Sequence, residues 1–132
     1  MNKKLINPPE LFDGSPFGMS QAVCDLDSKL VFISGQVDWN REYQTSENSV
    51  EGQMQKALNN LQIALDAANS SVDNLLQVRI YIRGEFGDYL NTVAPILSGF
   101  LGESRPAVTG IGVASLASPE TLVEIEAIAK RI

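Results

Sequence analysis

Glu124 and Glu126 stand two residues apart in the stretch Val123-Glu124-Ile125-Glu126-Ala127-Ile128-Ala129. In an extended strand that spacing puts both carboxylates on one face. There Glu124 could orient or deprotonate an attacking water as a general base. Arg79 and Arg83 also share a strand face, so both acids could equally be ion-pair partners across a sheet. Both readings stay open for Glu124, and for Glu126 the ion pair is the better one. Ser34-Gly35 could present a hydroxyl and backbone N–H groups to an anionic ligand, or Gly35 could serve a turn that needs positive φ. Arg105, just before Pro106, offers a guanidinium at the start of a strand, and its plain reading is a surface or interface ion pair.

The residue types that are missing narrow the chemistry further. The chain has no histidine and a single cysteine, Cys24. That removes His-based acid–base pairs, Ser-His-Asp and Cys-His nucleophiles, and His- or thiolate-ligated metal sites. No metal site of these kinds is expected. A lone cysteine forms no intramolecular disulfide, and a small buried hydrophobe is its expected role. The formal net charge of −6 repels polyanions, so nucleic acid is not an expected partner. No apolar run reaches the ~20 residues of a membrane span. Pro8 and Pro9 interrupt the N-terminal segment before an apolar stretch forms, which argues against a secretory leader and for a cytoplasmic protein.

The elements that must position these residues follow from periodicity. The 132 residues suit one domain, 1–132, with one continuous core. Residues 1–16, with Pro8, Pro9, Gly14 and Pro16, read as an extended arm closing in a turn. Met19 to Val23 and Leu30 to Ile33 read as two strands around turn residues Asp25 to Ser28, with Ser34-Gly35 ending the second. Asp38 to Asn48 is polar and irregular, with Trp39 and Tyr43 its bulky groups. Met54, Ala57, Leu58, Leu61, Ala64, Leu65 and Ala68 recur at helical spacing behind a plausible Ser49 N-cap. Leu76 to Ile82 alternates as a strand, with Val78, Ile80 and Ile82 on one face. A second helix carries Phe86, Tyr89, Leu90, Val93, Ile96, Leu97 and Phe100, with Pro95 inside it and Gly102 at its stop. Val108 to Val113 and Leu122 to Ala129 close the chain. The order β-β-α-β-α-β-β predicts a two-layer α+β sandwich with both helices on one sheet face. The other face then meets solvent or a partner, and a symmetric oligomer would cover it.

Several strings resemble one family. Arg105-Pro106-Ala107-Val108-Thr109, Gly112-Val113, Leu116 and the "VEIEAIA" stretch are similar to the C-terminal signature of the RidA/YjgF family. Ser20-Gln21-Ala22-Val23 and Ile33-Ser34-Gly35-Gln36 are similar to its N-terminal half, in the same order and spacing. The resemblance implies a chorismate-mutase-like fold and a homotrimer with a cleft at each subunit boundary. It implies a small-molecule metabolite as partner, since known members hydrolyse enamines and imines such as 2-iminopropanoate to 2-oxo acids and ammonia without a cofactor. It assigns the water-activating acid to Glu124 and cleft positions to Ser34 and Gly35.

The departures fall on the same cleft. The family's carboxylate-clamping arginine corresponds to Val108, its cleft tyrosine to Met19 and its helix asparagine to Val93. Arginine offers a carboxylate a bidentate fork, and valine offers nothing polar. Members without that arginine are expected to lack the deaminase activity. Three functions follow as expectations. The first is a trimeric protein binding or acting on a small metabolite in an apolar-shifted cleft. The second is a 2-iminobutanoate/2-iminopropanoate deaminase that uses Arg105, displaced by about 10 Å along an extended chain. The third is the endoribonuclease or translation-inhibitor activity ascribed to some members, which the missing histidine and the acidic charge disfavour.

Overall fold

The computed structural model describes residues 2–132. Six strands form one mixed sheet in the order β1-β2-β3-β6-β4-β5. They are β1 (Lys3–Ile6), β2 (Ala22–Asp25), β3 (Leu30–Gln36), β4 (Leu75–Arg83), β5 (Ala107–Val113) and β6 (Val123–Lys130). All neighbouring pairs are antiparallel except β4 and β5. A parallel pair needs a long crossover, and α2 (Leu90–Leu101), entered through a 3-10 turn at Phe86–Tyr89, supplies it. The expected two-layer α+β sandwich is the observed architecture.

Helix α1 (Val50–Ala67) begins where the sequence indicates. The Ser49 hydroxyl accepts from the Gly52 N–H at 3.1 Å, and Glu51 lies in the positive first turn. Its Met54, Leu58, Leu61 and Leu65 are buried against Val31, Ile33, Val78, Ile80, Ile125 and Ala127 of the sheet. Each such side chain contributes roughly 1.5–3 kcal/mol on leaving water. Helix α2 holds the sheet less fully. Only Val93 and Leu101 of it are buried, and Leu90 is 50% exposed.

Three expectations need correction. The N-terminal arm is not merely extended, because Lys3–Ile6 pairs antiparallel with β2 and adds a sixth strand. Its burial runs exposed-exposed-exposed-buried, so only Ile6 marks it as strand. The second strand lies three residues later than Met19 and includes Asp25. Ser34-Gly35 does not end β3 but sits inside it, at a register shift against β6 between Ile33 and Gln36. That is a bulge, where the ladder opens and the strand bends.

The face away from the helices carries a cross-strand apolar row. Leu5 pairs with Val23, Val23 with Phe32, and Phe32 with Ile128. Phe32 is 47% exposed and Leu5 56%. Beside this row the same face turns polar, with Arg79 opposite Glu126 and Tyr81 opposite Glu124.

Candidate functional site

The two acids of β6 have different surroundings although they share a face. Glu126 accepts the Tyr81 hydroxyl and forms an ion pair with Arg79 at 3.6 Å. Glu126 raises the Tyr81 pKa through that hydrogen bond, followed by desolvation. The ion-pair reading of Glu126 is therefore the observed one. Arg83 pairs with neither acid, because its guanidinium donates to the backbone carbonyls of Ser118 and Pro119. Glu124 makes no hydrogen bond or ion pair among the described residues. Burial first, and the Glu126 charge second, hold its pKa above the ordinary carboxylate value.

Glu124 reaches across the bulge of β3. A Cβ on Gly35 would lie 2.5 Å from the Glu124 Cδ and 2.7 Å from its Oε2. Gly35 does not have positive φ, so the turn expected there is corrected to a requirement for space. Only a residue without a side chain lets the carboxylate lie over this backbone. The Ser34 hydroxyl donates to the Ser20 carbonyl at 2.6 Å, which leaves its lone pairs as the free valence. Below the bulge, Gln36 donates to Gln21 and to the Ser34 carbonyl, and Gln21 donates to the Phe12 carbonyl. This buried chain of amides ties the bulge to the N-terminal segment.

Glu124, Gly35, Ser34 and Met19 line one groove of about 410 Å³. Phe12, Phe17 and Trp39 wall it further, and Glu124 is the only charged residue on it. These rings and Tyr43 contact one another with centroids 5.1–6.4 Å apart, mostly edge to face. Tyr43 is pinned by its hydroxyl donating to the Asp13 carbonyl at 2.9 Å. The loop bearing Trp39 and Tyr43 is anchored by Asp38, which accepts from the Ser46 and Glu47 N–H groups. The Trp39 indole N–H is buried with no acceptor among the described residues.

The other three cleft candidates lie elsewhere. Val93, Arg105 and Val108 line a second groove, of about 370 Å³, between α2 and β5. Val93 is a core residue, 2% exposed, whereas Val108 is 45% exposed. Val108 pairs with buried Val78 and so points to the helix side of the sheet, while Glu124 alternates with buried Val123 and Ile125 and points to the other. Arg105 is exposed, has φ +54 and makes no hydrogen bond or ion pair among the described residues. Positive φ is costly for a non-glycine residue. Gly110 lines this groove, and Gly112 lies two residues further along β5. A Cβ on Gly110 would meet the Phe86 ring at 2.2 Å, and one on Gly112 the Gly84 carbonyl oxygen at 2.3 Å.

One chain thus brings Met19, Ser34, Gly35 and Glu124 together and sets Val93, Arg105 and Val108 apart. Sequence reasoning missed the aromatic wall from Phe12 and Phe17. A signal existed, since Phe12, Phe17, Trp39 and Tyr43 all fall outside the strands and α-helices, in segments flanking β2 and β3. No group of metal-ligating side chains occurs among the described residues, and no helix is long and apolar enough to cross a membrane.

Comparison with known proteins gives one consistent result. Residues 16–131 match the family model for endoribonuclease L-PSP. A RutC-family protein of Pyrococcus horikoshii is 28% identical over 100 residues, 75% of this chain and 77% of the relative. The Rid-family protein YyfB of Yersinia pestis is 34% identical, with TM-score 0.72 over 98% of this chain and 99% of that one. A member of the YjgF/YER057c/UK114 family from Mycobacterium tuberculosis is 26% identical, with TM-score 0.81 over 97% and 98% of the two chains.

Proposed function

The chain belongs to the endoribonuclease L-PSP (RidA/YjgF) family, and from that premise we propose a homotrimer whose subunit boundaries form clefts for a small metabolite, without efficient 2-imino-acid deaminase activity. The observation that carries this reading is Val108. It lies half-exposed on one groove, in the motif position of the carboxylate-clamping arginine, while the other groove has Glu124 as its only charge. An anionic 2-imino acid brought to such a cleft meets a carboxylate and no clamp.

Assembly is supported by the open sheet face. The row Leu5, Val23, Phe32 and Ile128 exposes apolar surface that a symmetric partner would remove from water. The separation of the candidate residues onto opposite faces of one chain also supports it, since a cleft using both sets needs two copies. The net charge of −6 and the absence of histidine argue against an RNA-cleaving role. A cytoplasmic location is part of the proposal, supported by the single, fully buried Cys24.

Native mass spectrometry at micromolar concentration tests the assembly. The expected species has three times the 14.3 kDa mass of one chain, and a monomer alone contradicts it. A thermal-shift screen of a metabolite library tests the cleft, and the absence of any stabilising ligand argues against it. A second reading, a deaminase using Arg105, is favoured by the exposed and unpartnered guanidinium of that residue. In that case Arg105→Ala abolishes turnover and Ser104→Ala does not.

A further inference from the structure

Resting on the proposed small-molecule cleft, we infer that the groove over Gly35 selects a small organic cation with an apolar body, a protonated primary amine, over an organic anion. Glu124 is the only charged side chain on that groove. Every group near enough in the sheet to neutralise it is engaged elsewhere. Arg79 and the Tyr81 hydroxyl are held by Glu126, and Arg83 is held by the carbonyls of Ser118 and Pro119. A partly buried carboxylate with no counter-charge from its own chain favours a ligand cation, which it can hold with a charge-assisted hydrogen bond.

The rest of the groove fits the same occupant. Ser34 spends its proton on the Ser20 carbonyl at 2.6 Å, so its oxygen faces a ligand as an acceptor. An ammonium N–H can use that oxygen, and a carboxylate cannot. Phe12, Phe17 and Trp39 supply aromatic wall. Aromatic rings attract a cation within about 6 Å of their centroids and give an alkyl body an apolar contact. Gly35 keeps open the space through which Glu124 reaches the ligand.

Trp39 is the chain's only tryptophan, so its emission reports on this groove directly. The intact protein is titrated with n-butylammonium chloride and, at matched ionic strength, with sodium butyrate, a probe of equal length and opposite charge. The expected result is saturable quenching with the cation binding about tenfold tighter or more. Glu124→Gln, nearly isosteric, removes that preference. Butyrate binding as tightly as the amine overturns the inference. If Arg105→Ala then abolishes butyrate binding, the cleft is a carboxylate site supplied by Arg105. Silence of Trp39 and of the melting temperature towards both probes at millimolar concentration also overturns it. The wider reading of a metabolite cleft falls only if the library screen is empty as well.

Discussion

The two grooves of this chain are built from the same sheet and differ in what they leave free. The groove over Gly35 leaves an acid unpaired, behind aromatic rings that hold one another in place. The groove between α2 and β5 leaves a base unpaired, Arg105, at the end of an apolar trough lined by Phe86, Val93 and Val108. In a single chain these charges lie on opposite sides of the sheet. Opposite charges that could neutralise each other are kept apart by topology, so chemistry needing both requires a second copy. The difference teaches that Val108 is not the only aliphatic side chain at the proposed cleft positions. On one side Val108 and Val93 help make the α2 groove apolar, and on the other Met19 joins the aromatic wall.

The sharpest way to break this comparison is through the glycines. Gly112→Ala drives a Cβ against the Gly84 carbonyl oxygen, which belongs to the backbone and cannot swing aside. A loss of about 3 kcal/mol is expected in chemical denaturation. Gly35→Ala meets first the outer half of the Glu124 side chain, its Cγ and carboxyl, which can swing aside. Its expected stability loss is under about 1 kcal/mol, with Glu124 displaced and the groove's charge preference gone. Equal losses at the two positions would show that Gly35 serves the backbone and not the acid.

Val108→Arg is the next largest change. It adds a fork-shaped cation to the α2 groove, and if that groove completes a neighbour's cleft, butyrate affinity rises about tenfold. Titration followed through Trp39 reads this out, and an unchanged affinity separates the two grooves functionally.

The smallest effect is a pH dependence. Glu124 has a folded pKa above its unfolded value, through burial and then the Glu126 charge. The stability it contributes is present below the ordinary carboxylate pKa and is lost as pH rises through the raised value. Glu124→Gln should therefore gain stability relative to the parent as pH rises through that window, and match it in acid. Parallel denaturation curves across that range would remove the isolated-acid description.

Much of the fold was legible because its signals are local. The stripe from Met54 to Ala68 and the alternation of Val78, Ile80 and Ile82 each report their own burial. Strand β1 was hidden because an edge strand with one buried residue, Ile6, leaves almost no pattern beside Pro8 and Pro9. The Ser34-Gly35 bulge reads as a strand end, since glycine after serine marks a break in either case. Sequence favours the ion pair for Glu126 but leaves Glu124 open, because only the register of β4 against β6 gives Arg79 to the second acid. The division of the cleft candidates into two grooves is likewise a property of sheet order. It is set by the burial alternation of β6 and the parallel pairing of β5 with β4, and no motif records it.

The most direct test of the central claim, that this cleft has no working carboxylate clamp, is a coupled assay that generates 2-iminopropanoate in the presence of the purified protein. The expected result is hydrolysis no faster than the buffer control. Turnover well above buffer that disappears in Arg105→Ala would contradict it, and would make Arg105 the clamp that Val108 cannot be.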